Sequence, residues 1–113
     1  MAHTESKQAY QTVDDSRFAK DITSDDFYLL DVRTTDEYNG GHIENAHNID
    51  VLDPNFAHNA KTTLPKDKII AVYCGTGKRS GIASERLTNM GYKVVNLEGG
   101  LTEWEKEGYP VQK

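Results

Sequence analysis

The fold is decided by residues 69–91, whose sequence is IIAVYCGTGKRSGIASERLTNMG. Its first five residues are apolar and rich in β-branched and aromatic side chains, which is typical of a short strand buried on both faces. Residues 82–90 carry three apolar side chains on one helical face and are followed by Gly91, a residue type common just past a helix end. These side chains belong to Ala83, Leu87 and Met90. The stretch therefore predicts a strand, a loop over residues 74–79 and a helix.

The loop contains Cys74, the only cysteine of the protein, together with two glycines and two cations. Its other residues are Gly75, Thr76, Gly77, Lys78 and Arg79. A loop that leads from a strand into a helix presents unpaired backbone N–H groups, with the positive end of the helix dipole behind them. Glycines let the backbone curl so that these N–H groups point inward and bind an anion. Since such a potential favours the charged form of a thiol, we expect Cys74 to be a thiolate at the mouth of an anion cradle.

The structural alternative for Cys74 is a small buried hydrophobe, which is how a lone cysteine most often serves. Two glycines, two cations and a helix start within six residues of it favour the reactive interpretation instead. We therefore treat Cys74 as a candidate nucleophile and keep the structural alternative open.

Composition limits the classes of function. A chain of 113 residues is one domain's worth, and we expect a flexible tail over residues 1–7 and a single domain over residues 8–113. The formal net charge of −5 and the lack of a basic run argue against a nucleic-acid partner, and no stretch is long enough to span a membrane. The histidines lack metal-ligand spacing, so we expect no metal. One cysteine fits a reducing compartment, which predicts the cytoplasm, or the periplasm if a signal peptide has been removed.

The rest of the chain alternates short strands with short helices. We expect strands near residues 10–13, 27–30, 46–49 and 92–97, and helices near residues 16–20, 37–38, 56–61 and 101–106. The pair Asp53-Pro54 predicts the start of the third of these helices, with Asp53 as its N-cap. The alternation predicts an α/β fold with a small, mostly parallel sheet and helices on both of its faces.

Four groups of residues stand at distances found together in one family. They are LDVR at 30–33, then EY at 37–38 with GHI at 41–43, Ala46 and Asn48-Ile49, the loop CGTGKRS at 74–80, and GG at 99–100 with Trp104 and GYP at 108–110. With these groups, the chain from Tyr28 to Pro110 resembles a single-domain rhodanese, or thiosulfate sulfurtransferase. The resemblance implies a rhodanese-like α/β fold, with Cys74 as nucleophile and the following loop as the anion-binding pocket. The pocket residues would be Gly75, Thr76, Gly77, Lys78, Arg79 and Ser80.

The resemblance also implies a reaction without a cofactor. Sulfane sulfur would move from thiosulfate to Cys74 as a persulfide, and then to cyanide in the test tube or to a thiol in the cell. Arg79 would orient the oxygens of this small anionic donor because its planar fork suits them, and Lys78 would help electrostatically. Without a second cysteine, the persulfide must pass to an outside acceptor, for which a thioredoxin-like protein is a candidate. We expect the domain to act as a monomer.

Other residues carry supporting expectations. Asp31 and Arg33 stand at a strand end, from which they could reach the site, although a buried charge pair that ties loops together is the favoured interpretation. Glu37 and His42 are expected to be structural. Ser80 is expected to cap the following helix, with its hydroxyl within reach of Cys74.

Three alternatives to a thiosulfate sulfurtransferase remain open. The loop CGTG also resembles loops that accept 3-mercaptopyruvate or another persulfide donor. An arsenate reductase or cysteine phosphatase would need five residues between cysteine and arginine, whereas four separate Cys74 from Arg79. A non-catalytic rhodanese-like binding module would typically lack the cysteine or the loop glycines, and both are present here.

Overall fold

The computed structural model describes residues 10–113, which form five strands and five helices. The strands are β1 Gln11–Val13, β2 Phe27–Asp31, β3 His47–Asn48, β4 Ile69–Tyr73 and β5 Lys93–Leu97. The helices are α1 Asp15–Asp21, α2 Thr35–Asn39, α3 Phe56–Thr63, α4 Lys78–Asn89 and α5 Gly100–Lys106. The tail expected over residues 1–7 lies outside the described residues. Within them, no helix is long and apolar enough to cross a membrane.

The five strands form one sheet in the order β1-β5-β4-β2-β3, and every pair of neighbouring strands is parallel. The predicted α/β fold with a parallel sheet is therefore confirmed. Strand β4, the start of the deciding stretch, lies in the centre, and its last four residues are buried. A run without polar alternation fits this position, because both faces of a parallel sheet are covered.

Alternate side chains of the strands contribute to two hydrophobic clusters, one on each face of the sheet. One cluster is packed by α3 and α4 and includes Val72, Cys74 and Ala83. The other is packed by α1 and α5, with Phe18 and Trp104 almost fully buried in it. Helices thus cover both faces, as predicted.

One predicted N-cap and one predicted helix start are wrong. Helix α3 begins at Phe56 with Asn55 at its N-cap position, because the Asp53 carboxylate accepts the N–H of Asn55 at 2.8 Å in a local turn. Helix α4 begins at Lys78, one turn before the predicted residue 82, so Lys78 and Arg79 belong to its first turn. Its N-cap position is held by Gly77 at a φ of 100°, a conformation that glycine adopts without strain, and Ser80 is not the cap.

Helix α4 contains a glycine whose replacement should stabilise the domain. A Cβ at Gly81 would meet nothing within 4 Å. We expect Gly81→Ala to raise the free energy of unfolding in urea by about 0.5–1 kcal/mol, because alanine loses less backbone entropy in a helix. Gly91, just after α4, has a φ of 98°, so Gly91→Ala is the control and should lower that free energy. A loss of stability in Gly81→Ala would contradict the open space at this position.

Candidate active site

Cys74 lies directly after the central strand, at the carboxyl edge of the sheet. Its sulfur accepts a hydrogen bond from the Gly77 N–H at 3.0 Å, and the thiol lies 3.5 Å from the Ser80 hydroxyl oxygen. The Ser80 hydroxyl donates to the Gly77 carbonyl at 3.2 Å. The expected contact between Ser80 and Cys74 is therefore present, although Ser80 is the third residue of α4 rather than its cap.

The loop is held in place by the first turn of α5. The N–H of Leu101 donates to the Cys74 carbonyl at 2.8 Å, and the N–H of Thr102 donates to the Gly75 carbonyl at 2.9 Å. Within residues 10–113, the N–H groups of Gly75 and Thr76 donate to no protein acceptor. The loop thus has its carbonyls tied to α5 and keeps free N–H donors beside the sulfur, which is the polarity an anion-binding loop needs.

Close backbone packing explains two glycines at this point. A Cβ at Gly77 would lie 2.1 Å from the Glu98 carbonyl oxygen, and a Cβ at Gly100 would lie 2.6 Å from the Gly75 carbonyl. Both residues also have positive φ angles. The loop and the turn before α5 therefore interlock, and only glycine permits the approach.

Cys74 is fully buried, with none of its surface exposed. Cys74 was expected at the mouth of the anion cradle, but its sulfur is not open to solvent there. The Ser80 hydroxyl of α4 lies against the sulfur, Ala83 of the same helix belongs to the same hydrophobic cluster as Cys74, and both residues are fully buried. Thr76 and Lys78 are the exposed residues of the loop.

Arg79 is paired with Glu37. One terminal guanidinium nitrogen lies 2.7 Å from Oε1 of Glu37 and the other lies 3.0 Å from Oε2. The two side chains are partly exposed, at 26% for Arg79 and 41% for Glu37. The pair joins α2 to the first turn of α4, and the sequence analysis did not anticipate it.

The pair shifts both proton equilibria toward the charged forms. Hydrogen bonds from Arg79 lower the pKa of Glu37 from 4.5 to about 2, and hydrogen bonds to Glu37 raise the pKa of Arg79. Since the carboxyl pKa is depressed on folding, the pair's contribution to stability is complete above pH 4.5 and is lost as the pH falls through about 2. At neutral pH the pair is intact and charged.

Asp31 and Arg33 form a separate buried network. Their side chains make a short ion pair, with Nη2 of Arg33 2.7 Å from Oδ2 of Asp31 and also 2.7 Å from the Gly41 carbonyl. The Asn48 amide donates to the Asp31 and Arg33 carbonyls. Neither charged side chain has a hydrogen bond to the Cys74 loop within the described residues. The favoured interpretation, a charge pair that ties loops together, matches this geometry.

Glu37 is the main residue whose place at the site the sequence analysis missed. It also completes a capping box with Thr34, whose side chain accepts the Glu37 N–H at 3.2 Å. The spacing of Thr34 and Glu37 could have predicted that box, and hence a fixed carboxylate. His42 is structural as expected, with Nδ1 2.9 Å from the Tyr38 carbonyl and its ring stacked on Tyr38.

Two concave surfaces lie away from the loop. A cavity of about 900 Å³ opens on the face packed by α1 and α5, where Phe27, Trp104 and Tyr109 contribute to its wall. A second, of about 510 Å³, is lined by five carboxylates. These are Asp14, Asp15, Glu98, Glu103 and Glu107. No residue of the loop over residues 74–80 lines either one.

Comparison with known proteins assigns the chain to a protein family. A family model described as the rhodanese-like domain matches residues 14–107. The chain is 34% identical over 89 residues to a protein of Allochromatium vinosum named Sulfurtransferase, covering 78% of the chain and 80% of that protein. It is 33% identical over 105 residues to Protein HIGH ARSENIC CONTENT 1, mitochondrial, of Arabidopsis thaliana, covering 84% of the chain but only 62% of that relative. A crystal structure of a rhodanese-related protein from Thermoplasma volcanium matches at a TM-score of 0.81 and 35% identity, over 91% of this chain and 98% of that one.

Proposed function

The chain belongs to the rhodanese-like domain family, and we propose that it is a sulfurtransferase that carries sulfane sulfur as a persulfide on Cys74. The observation that carries this proposal is the hydrogen bond of 3.0 Å from the Gly77 N–H to the Cys74 sulfur. An N–H aimed at sulfur stabilises a thiolate, which is the nucleophilic form of cysteine. Similarity to a protein named Sulfurtransferase supports the same activity.

We propose thiosulfate as the donor. The Cys74 thiolate attacks the outer sulfur, a new sulfur–sulfur bond forms, and the sulfur–sulfur bond of thiosulfate breaks with its electron pair leaving on sulfite. A thiolate and a dianion thus become a persulfide anion and a sulfite dianion. In the second half-reaction, cyanide takes the outer sulfur as thiocyanate, or a thiol takes it as a new persulfide, and the thiolate is restored.

Other residues of the loop have supporting roles in this proposal, because of where they lie relative to the sulfur. The free N–H groups of Gly75 and Thr76 stabilise the persulfide, and the hydroxyl of Ser80 can turn from the Gly77 carbonyl toward the sulfur. Lys78 is exposed and adds a mobile positive charge at the side from which a donor comes. No role in the transfer is proposed for Asp31 and Arg33.

Intact mass spectrometry after incubation with thiosulfate tests the proposal. We expect a gain of one sulfur, roughly 32 Da, that a reductant removes. The full burial of Cys74 is the observation that favours the alternative, a non-catalytic binding module. An unchanged mass with thiosulfate, with 3-mercaptopyruvate and with a small persulfide would favour that alternative. A gain with 3-mercaptopyruvate alone would keep the sulfurtransferase and replace its donor.

Arsenate reduction is the second candidate, because one relative is named for arsenic content. The short spacing from Cys74 to Arg79 disfavours it, since a loop that encloses a tetrahedral oxyanion needs one more residue. Arsenite formation from arsenate in the presence of a thiol reductant distinguishes it from sulfur transfer.

Arg79→Ala should chiefly weaken the use of thiosulfate. Loss of charge-assisted hydrogen bonds to a donor anion is expected to raise KM for thiosulfate by roughly tenfold or more, with a smaller effect on kcat. Lys78→Ala removes the neighbouring positive charge from an exposed side chain and should raise KM less. Thiocyanate formation at varied thiosulfate concentration measures both, and an unchanged KM in Arg79→Ala would remove this residue from donor binding.

A further inference from the structure

Resting on the proposed function, we propose that Glu37 is a specificity-determining residue that disfavours dianionic donors by occupying the guanidinium of Arg79. Both terminal nitrogens of Arg79 are bonded to the Glu37 carboxylate, at 2.7 and 3.0 Å. This is the fork geometry with which arginine binds any planar or tetrahedral oxyanion. An incoming anion can use the same pair of N–H donors only by displacing the carboxylate.

The guanidinium lies over the catalytic loop. A Cβ at Gly75 would be 3.3 Å from one terminal nitrogen of Arg79, which places that nitrogen against the residue after Cys74. The same nitrogen donates to Oε2 of Glu37 at 3.0 Å, so the carboxylate also stands near the loop. An anion that binds Arg79 from the loop must compete with it.

The carboxylate is held in this position by its own helix. Its Oε1 accepts hydrogen bonds from the Thr34 N–H at 3.0 Å and from the Thr34 hydroxyl at 3.1 Å, as part of the capping box of α2. A side chain tied at both ends does not swing away without breaking these contacts. Glu37 is therefore a fixed internal competitor for Arg79 rather than a passing surface partner.

The consequence concerns the charge of the donor. A dianion such as thiosulfate must displace the carboxylate and also approach its negative charge at close range, where screening is incomplete. A donor with one negative charge, or a persulfide that presents its outer sulfur without an oxyanion, avoids most of this penalty. Compared with a neutral residue at position 37, Glu37 should therefore raise KM for thiosulfate more than KM for donors of lower charge.

Alkylation of Cys74 tests this charge effect without any sulfur transfer. Cys74 is the only cysteine, so intact mass follows its reaction alone. The ratio of the rate with iodoacetate to the rate with neutral iodoacetamide reports the local charge, because thiolate content and burial affect both reagents alike. We expect Glu37→Gln to raise this ratio by roughly two- to fivefold.

The substitution has a matched control on the same helix. Glutamine can still complete the capping box, so Glu37→Gln removes the charge and keeps α2 capped. Asp36→Asn removes the same charge from the neighbouring exposed residue, which has no hydrogen bond to Arg79 within the described residues, and should change the ratio little. A ratio that stays constant in Glu37→Gln, or that rises equally in Asp36→Asn, would overturn the role of Glu37.

Steady-state kinetics measure the donor specificity directly. Glu37→Gln should lower KM for thiosulfate by roughly two- to fivefold with kcat nearly unchanged, and should change KM for 3-mercaptopyruvate less. A purely structural role would instead lower kcat for both donors, and that result would overturn the proposal. If the wild-type protein takes no sulfur from any donor, the proposed function fails, and the alkylation ratio alone decides whether Glu37 controls the charge at the loop.

Discussion

Cys74→Ser abolishes transfer of sulfur from thiosulfate to cyanide, by at least about a thousandfold, while the domain stays folded: this is the largest effect that we expect on activity. A serine hydroxyl is not ionised at neutral pH and does not hold a sulfane sulfur. Thiocyanate formation measures the loss, and intact mass should show no added sulfur on the variant. The variant isolates the chemistry because the side chain changes by a single atom.

The fold of this variant should survive because the serine oxygen has partners. It can accept the Gly77 N–H that now reaches sulfur at 3.0 Å, and it lies next to the Ser80 hydroxyl. Burying a hydroxyl with such partners costs about 1 kcal/mol, which urea unfolding can measure. Activity near that of the wild type, or a persulfide adduct on the variant, would refute Cys74 as the nucleophile.

Gly77→Ala should give the largest loss of stability. Its Cβ would meet the Glu98 carbonyl oxygen at 2.1 Å, so the loop or the turn before α5 must move, and its φ of 100° is strained for alanine. We expect the free energy of unfolding to fall by about 2–5 kcal/mol, from backbone strain and steric displacement together. Sulfur transfer should fall as well, because the Gly77 N–H leaves the Cys74 sulfur.

Gly108 provides a matched control for this effect. It has a φ of 90°, close to that of Gly77, but a Cβ there would meet nothing within 4 Å. Gly108→Ala should therefore lower the free energy of unfolding by only about 1–2 kcal/mol, the cost of the backbone conformation alone. Equal losses in the two variants would show that the contact with Glu98 does not constrain the loop.

The fold was largely predictable because its signals are local. The apolar run of β4 has no polar alternation, and only a strand covered on both faces suits such a run. The glycine after α4, Gly91, marked the end of that helix, where its N–H donates to the Thr88 carbonyl within the last turn. The helix starts were harder to predict. The Asp53 side chain accepts a hydrogen bond in a local turn instead of capping α3, and the N-cap position of α4 is Gly77, which has no side chain to mark it.

By itself, the sequence determined the family, the parallel sheet and a loop in which one cysteine is followed by two glycines and two cations. Only the tertiary structure decided that Cys74 is buried and that Arg79 is paired with Glu37, a residue 42 positions away. The physical reason is the order of the strands. Because β2 and β4 are parallel neighbours, the helices that follow them both begin at the same edge of the sheet, and this brings together two charges that no local pattern connects.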